Sequence, residues 1–315
     1  MFSRKQKHIM LKFFSLFSVV RGYNILVIIL AQYLTSIYIL APSLPLGDVL
    51  FDLNLLMLVL SSAAAVAAGY IINSFYDSDK DLINRPTKTV LDRLVSQNTK
   101  LSGYFILNCL SLVFASYVSF RAVLFFLVYI FAIWFYSHKL KKFLFIGNVT
   151  AAILAVIPFF AVFIYYQNFN NVIFVHATFL FLLIAMKELT KDLENIKGDL
   201  AQNYKTIPVV YGVDVAKTML TALSIATLIP AVLLLMYFSI GYMNYYFYGS
   251  SIALVFFDVF LWKSSKRSHF LTLHNILKLI IVAGVFSIVL INVHLVLSKV
   301  FLAAVLGLDV IKLLT

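Results

Sequence analysis

Three oxygen-bearing side chains, Asn73, Asp77 and Asp81, recur at steps of four just where a long apolar run, residues 53–72, gives out. Read as a continuing helix, the three drift only ~80° around the axis, so one amide and two carboxylates project to one side. Neighbouring carboxylates repel unless a cation holds them. A hard divalent ion with oxygen ligands is the natural partner, and Mg²⁺ typically binds through one or two carboxylates together with phosphate oxygens. The competing reading is a solvated acidic loop. Against it stands the position at the mouth of a membrane-length apolar run, where a carboxylate is a functional candidate by default.

A second acidic set follows another apolar run. Glu188, Asp192, Asn195 and Asp199 are spaced by four, three and four, which makes one stripe on a helix. Glu194 lies off that stripe, and Gly198 reads as a helix end where positive φ is wanted. Two solvated helix faces balanced by neighbouring lysines would explain the charge but not the shared spacing. A diphosphate would explain both. Acidic side chains cannot bind it directly, whereas Mg²⁺ can bridge them to it, and the neutralised diphosphate becomes a good leaving group. If the remainder is an allylic isoprenoid, departure leaves a delocalised cation that needs an apolar chamber with aromatic faces. The chain has 30 Phe and 18 Tyr to draw on, although lipid contact and interfacial belts account for most of them.

The elements that must position these residues are membrane spans. Of 315 residues, 63% are hydrophobic and 12% charged, about half the charged fraction of a soluble domain. Nine apolar runs are expected near 22–40, 51–72, 103–119, 121–137, 145–166, 172–189, 217–238, 244–262 and 276–298. The third and fourth meet at Ser119-Phe120-Arg121, so that turn must be tight. Pro158 and Pro230 fall inside the fifth and seventh, and the carbonyls they free must be satisfied locally. Lys and Arg collect in the N-terminal arm and after the second, fourth, sixth and eighth runs, while residues 41–50, 167–171 and 239–243 carry none. That asymmetry places the N-terminus and both acidic sets in the cytoplasm. It also accounts for the net charge of +12 without nucleic acid. The expected organisation is an interfacial arm over 1–20, a membrane domain over 21–298 and an apolar tail over 299–315. Cys109 is the single cysteine, and the six histidines show no metal-ligand spacing.

With these residues in view, the chain resembles the UbiA superfamily of intramembrane prenyltransferases. The resemblance rests on Asn73, Asp77 and Asp81 followed by Asn84-Arg85-Pro86, then Arg93-Leu-Val-Ser96. It continues through Tyr136-Ser137, Leu140-Lys141 and Gly147-Asn148, and through Lys191-Asp192, Gly198-Asp199, Lys205-Thr206-Ile-Pro208 and Tyr211-Gly212. It implies an all-α fold of about nine transmembrane helices around a central cavity, with a tunnel for the prenyl tail. It implies that Asp77, Asp81, Asp192 and Asp199 are catalytic. Asn73, Asp77 and Asp81 would hold one Mg²⁺, and Asp192 and Asp199 a second, assisted by Glu188. Asn73, Arg85, Arg93, Lys141, Lys205 and Asn195 would form the substrate-binding set. Asn195 stands where many members have Asp, and Asp79 is an extra carboxylate on the far side of the helix. The implied partners are a polyprenyl diphosphate, a lipophilic acceptor and the bilayer. The second motif is most similar to members that prenylate geranylgeranylglycerol phosphate. Aromatic quinone precursors such as 4-hydroxybenzoate or a dihydroxynaphthoate are the alternative acceptors. A polytopic transporter, or a scaffold in which the carboxylates are dispensable, is the alternative outside catalysis.

Overall fold

The computed structural model describes residues 15–293. Most of the expected interfacial arm, and all of the expected tail, lie outside the described residues. Among those described the chain is helical throughout, with nine helices long and apolar enough to cross a membrane: Gly22–Leu40, Leu53–Tyr76, Gln97–Val118, Phe120–Lys142, Ile146–Tyr166, Asn171–Ala201, Val213–Tyr237, Gly241–Lys263 and Arg267–Asn292. Each packs on the next, and the ninth returns to the first, so the spans close a ring. The second and sixth spans have further partners. The second also contacts the fourth and fifth, and the sixth also contacts the ninth. Both helices that carry the acidic sets thus have partners beyond their neighbours in the chain, and the second is the most buried of the nine.

Their sequences explain why. The second span is rich in small residues, with Ser61, Ser62, Ala64, Ala65 and Ala68 buried, which lets neighbouring backbones approach closely. Ser61 Oγ and Ser111 Oγ each donate to the other's backbone carbonyl at 2.7 and 2.9 Å, stitching the second span to the third. The sixth helix has 31 residues and is thus ~46 Å long against a hydrocarbon core of ~30 Å. Its last turns, residues 188–199, project beyond the apolar band. The ninth span starts nine residues before the apolar run does, because Arg267 and His274 are matched by polar partners on the sixth. The tight turn at Ser119 is as expected: this one extended residue separates two spans, and its hydroxyl accepts from Ala122 N–H at 3.1 Å.

Pro158 shows how a polar group is tolerated at membrane depth. Proline removes the N–H that would bond the carbonyl of Leu154. Tyr129, from the fourth span, donates its hydroxyl to that carbonyl at 3.0 Å. Gln32 of the first span donates to the Pro158 carbonyl at 2.7 Å and to Ser62 Oγ at 3.0 Å. The kink is thus a junction of four spans. Tyr129→Phe should leave the Leu154 carbonyl buried and unpaired and lower stability by about 1–3 kcal/mol. Thermal melts in detergent would register this as a reduced midpoint, and an unchanged midpoint would remove Tyr129 from that role.

Candidate functional site

The second-span helix ends at Tyr76. Asp77 caps it with φ −93° and ψ 5°, and a short helix, Ser78–Asn84, restarts from there. The backbone ladder bridges the break, with Asp77 N–H on Asn73 O at 3.0 Å and Asp81 N–H on Asp77 O at 2.8 Å. The turn buries Asp77 to 6% exposure. Around its carboxylate the contacts converge. Lys141 Nζ lies 2.7 Å from Oδ1, and Tyr204 donates its hydroxyl to Oδ1 at 2.9 Å. Asn73 Nδ2 donates to Oδ2 at 3.0 Å, while Asn73 Oδ1 accepts from Lys141 at 3.2 Å.

Opposite stands the sixth helix. Glu188 pairs with Lys187 and Lys191 at 3.0 and 2.8 Å. Asn148, from the fifth span, donates to Asp192 Oδ2 at 2.8 Å. Asp199 is fully buried and lies 3.2 Å from Lys80 Nζ, with Thr206 Oγ1 at 3.4 Å. Lys80 is also 3.9 Å from Asp77 Oδ1, so one ammonium touches both acidic sets. A pocket between them is lined by Asn73, Asp77, Lys80, Tyr136, Lys141, Asn148, Glu188, Lys191, Asp192, Tyr204 and Thr206, together with Gly147 and Ala151. Its free space is about 30 Å³, room for roughly one water. Lys80, Lys141 and Lys191 line it among the carboxylates.

Charge explains the ionisation of the pocket. Burial pushes the Asp77 carboxyl up, but Lys80 and Lys141 outweigh it and hold it below the usual carboxylate range. Burial pushes the Lys80 ammonium down, but Asp77 and Asp199 outweigh it and raise it. Asp81 goes the other way: burial, then the charge of Asp77, raises its carboxyl.

Of the residues singled out in the sequence, Asn73, Asp77, Lys141, Glu188 and Asp192 line the pocket directly. Asp199 reaches it through Lys80 and Thr206. Asn195 is buried on the same stripe, and its Oδ1 has no hydrogen-bond partner among the described residues. Asp81 is not among the residues that line the pocket, whereas Lys80 beside it is. Arg85 is drawn elsewhere, onto Glu194 at 2.9 Å. Arg93 and Lys205 are exposed and line no part of the pocket; Lys205 instead ties two loops together, its N–H on Lys142 O at 3.1 Å.

Gly198 departs from expectation. It lies inside the helix Asn171–Ala201 with ordinary helical φ, and the left-handed residue past the helix end is Asn203, at φ 56°. Gly198 is needed for close approach: a Cβ there would meet Asn84 Nδ2 at 2.3 Å. Asn84 Oδ1 accepts from Gly198 N–H at 3.1 Å. Beside it Glu194, set aside as off the stripe, is 3% exposed. It holds Arg85 and His274, each at 2.9 Å, with Arg267 at 3.7 Å. Arg267 also donates to the carbonyls of Glu194 and Asn84. This cluster locks the loop after the first acidic set onto the helix of the second. Sequence reasoning missed it, along with Lys80 and Tyr204. Only Lys80 gave a signal, as the residue three after Asp77.

Whether these residues suit Mg²⁺ follows from their chemistry. Among the described residues, no three His, Cys, Asp or Glu side chains converge closely enough to hold an ion by themselves. What converges is hard oxygen: carboxylates of Asp77, Glu188 and Asp192 and the amide of Asn73 around one pocket, with the unpaired Asn195 Oδ1 on the same helix as Glu188 and Asp192. A donor set with one or two carboxylates on each side fits an ion that shares its shell with phosphate oxygens.

Comparison with known proteins agrees with this geometry. The model of the UbiA prenyltransferase family matches residues 29–274. The chain is 27% identical over 245 residues to the digeranylgeranylglyceryl phosphate synthase of Methanobrevibacter smithii, covering 71% of this chain and 80% of that one. It is 32% identical over 167 residues to the protein of the same name from Thermococcus sibiricus, covering 52% and 59%. Among solved structures, a digeranylgeranylglyceryl phosphate synthase superposes with a TM-score of 0.67 at 19% identity over 89% of this chain and 98% of that one. A UbiA homologue from Archaeoglobus fulgidus, solved with DMAPP and Mg²⁺, gives 0.60 at 18% over 87% and 99%. At these identities the superpositions speak for the fold. The match across most of the chain, with both acidic sets inside it, settles the family: the chain belongs to the UbiA prenyltransferases.

Proposed function

We propose that this protein transfers a prenyl group from a polyprenyl diphosphate to geranylgeranylglycerol phosphate in a Mg²⁺-dependent reaction, at the cytoplasmic face of a membrane it spans nine times. The observation that carries the reading is the meeting of Asp77, from the second span, with Glu188 and Asp192, from the sixth, around one lysine-rich pocket. The acceptor follows the relatives named as digeranylgeranylglyceryl phosphate synthases.

Asn73, Asp77, Glu188, Asp192, Asn195 and Asp199 are the residues that would hold Mg²⁺. Asp81, one turn after Asp77, would complete the metal-holding set of the first acidic stretch, and Arg85 fastens the loop that follows through Glu194 at 2.9 Å. Bound Mg²⁺ supplies the charge that ties diphosphate to the acidic sets and stabilises it as it leaves. Lys141 and Lys191 present ammoniums to the pocket, where negative charge grows on the departing diphosphate. Tyr136 and Tyr204 line the pocket, and aromatic rings there would favour a nascent allylic cation. The surrounding spans exclude water, which would otherwise capture that cation. No Ser, Cys or His nucleophile is required, because the carbon–oxygen bond of the donor breaks with the electron pair leaving on diphosphate.

Purified protein supplied with radiolabelled geranylgeranyl diphosphate, Mg²⁺ and a panel of acceptors tests this reading. Prenylated geranylgeranylglycerol phosphate should form, vanish with EDTA, and fall by on the order of 100-fold or more in Asp77→Ala and Asp199→Ala. Product on 4-hydroxybenzoate alone would reassign the acceptor, and no product from any prenyl donor by folded protein would contradict the reaction. Orientation is tested by cysteine labelling in a Cys109→Ser background. A membrane-impermeant maleimide added outside intact cells should label Ser43→Cys and not Gln202→Cys; the reverse pattern would invert the topology.

A further inference from the structure

Lys80 is a cation that the mechanism above leaves without a task. It stands on the short helix after Asp77, and its side chain is 13% exposed. Its ammonium is 3.2 Å from Asp199 Oδ1 and 3.9 Å from Asp77 Oδ1, one oxygen from each acidic set. It lies over the Tyr204 ring at 4.2 Å from the centroid and faces the pocket. Asp77 has a second cation, Lys141, at 2.7 Å; among the described residues the ion pair made by Asp199 is the one with Lys80. Lys80 is thus the group through which the two sets are joined electrostatically. It stands where cations bridging both sets to a diphosphate would have to act.

We propose that Lys80 is a donor-site residue with two positions. Without ligand it is the counter-ion that joins Asp77 to Asp199; when divalent metal and diphosphate enter, it leaves the carboxylates and binds diphosphate oxygens. The proposal rests on the prenyl-diphosphate reading of the pocket. A lysine suits both positions, being a compact charge with three donors on a flexible four-carbon stem. The carboxylates cannot give full charge to an incoming metal while the ammonium holds them, so Lys80 and metal compete. Once phosphate oxygens arrive, the displaced ammonium has an anion to bind, and competition becomes cooperation. The signature is a pair of opposite effects. A lysine that only props the fold would weaken both ligands or neither, and one that only binds phosphate would leave metal binding alone unchanged.

The test uses the full-length purified protein and its Lys80→Met, Lys80→Gln and Lys80→Arg variants, titrated calorimetrically with Mn²⁺ alone and then with inorganic pyrophosphate in saturating Mn²⁺. Lys80→Met should bind Mn²⁺ alone on the order of tenfold more tightly, the size of effect one adjacent charge has on a carboxylate. It should bind pyrophosphate about tenfold more weakly, and the KM for geranylgeranyl diphosphate should rise in parallel. Lys80→Arg should return both affinities toward wild type. If Lys80→Met does not yield folded protein, Lys80→Gln, which keeps a hydrogen-bond donor, should show the same opposed shifts. Unchanged or weakened Mn²⁺ binding, or undiminished pyrophosphate binding, in a folded uncharged variant would overturn the proposal. Wild-type protein that binds no pyrophosphate would overturn the donor reading of the pocket itself, an outcome separate from any difference between wild type and variant.

Discussion

Repulsion between like charges is the constraint this structure is built around. Asp77, Glu188, Asp192 and Asp199 are brought to one enclosed end of a helix ring, where water cannot screen them as it does on a surface. The same end carries Lys80, Lys141 and Lys191 to neutralise them, each within ion-pair distance of a carboxylate. Such an arrangement is costly unless every charge is met. Here the contacts are short, and neutral donors complete them: Tyr204 on Asp77 and Asn148 on Asp192. The outcome is a site of high charge density and low net charge, which can exchange an internal cation for an external one.

Holding the two sets at a fixed separation is a mechanical problem, and the Glu194 cluster solves it. The first set lies where a helix breaks and restarts, a place that would otherwise swing. Asn84 and Arg85 are fastened to the sixth helix at Gly198 and Glu194, and Arg267 of the ninth span closes the joint. Glu194 is buried and surrounded by Arg85, Arg267 and His274, so removal of its charge would leave cations unmatched. Arg85 is held against Glu194 at 2.9 Å, which fixes the loop that carries it. Beneath the polar end, the small-residue face of the second span and the satisfied kink at Pro158 keep the backbones close enough for the side chains above them to meet.

Much of this was readable in the chain. Apolar length gave the number and order of the nine spans, because a bilayer allows few ways to satisfy a backbone, but it missed the polar extensions of the sixth and ninth by about ten residues. The spacing of Asn73 and Asp77, and of Glu188 and Asp192, marked the pocket, because a helix converts steps of three and four into one face. The departures arise where tertiary contacts decide. Asp81 shares the spacing without lining the pocket, whereas Lys80 beside it does. Gly198 looked like a terminator, but its role is set by Asn84, more than a hundred residues away. Glu194 looked peripheral because its partners come from the loop after the second span and from the ninth. Lys80 and Tyr204 act through tertiary position alone, and no local pattern announces such a position.

The most direct test is a structure of the protein with Mn²⁺ and a thiolodiphosphate analogue of the prenyl donor, with the metal located by anomalous scattering. Metal density between the carboxylate of Asp77 and those of Asp192 and Asp199, bridged by the analogue's phosphates, is the expected result. Metal bound elsewhere, or an analogue whose diphosphate rests against one acidic set only, would contradict the convergence of the two sets on a shared ligand.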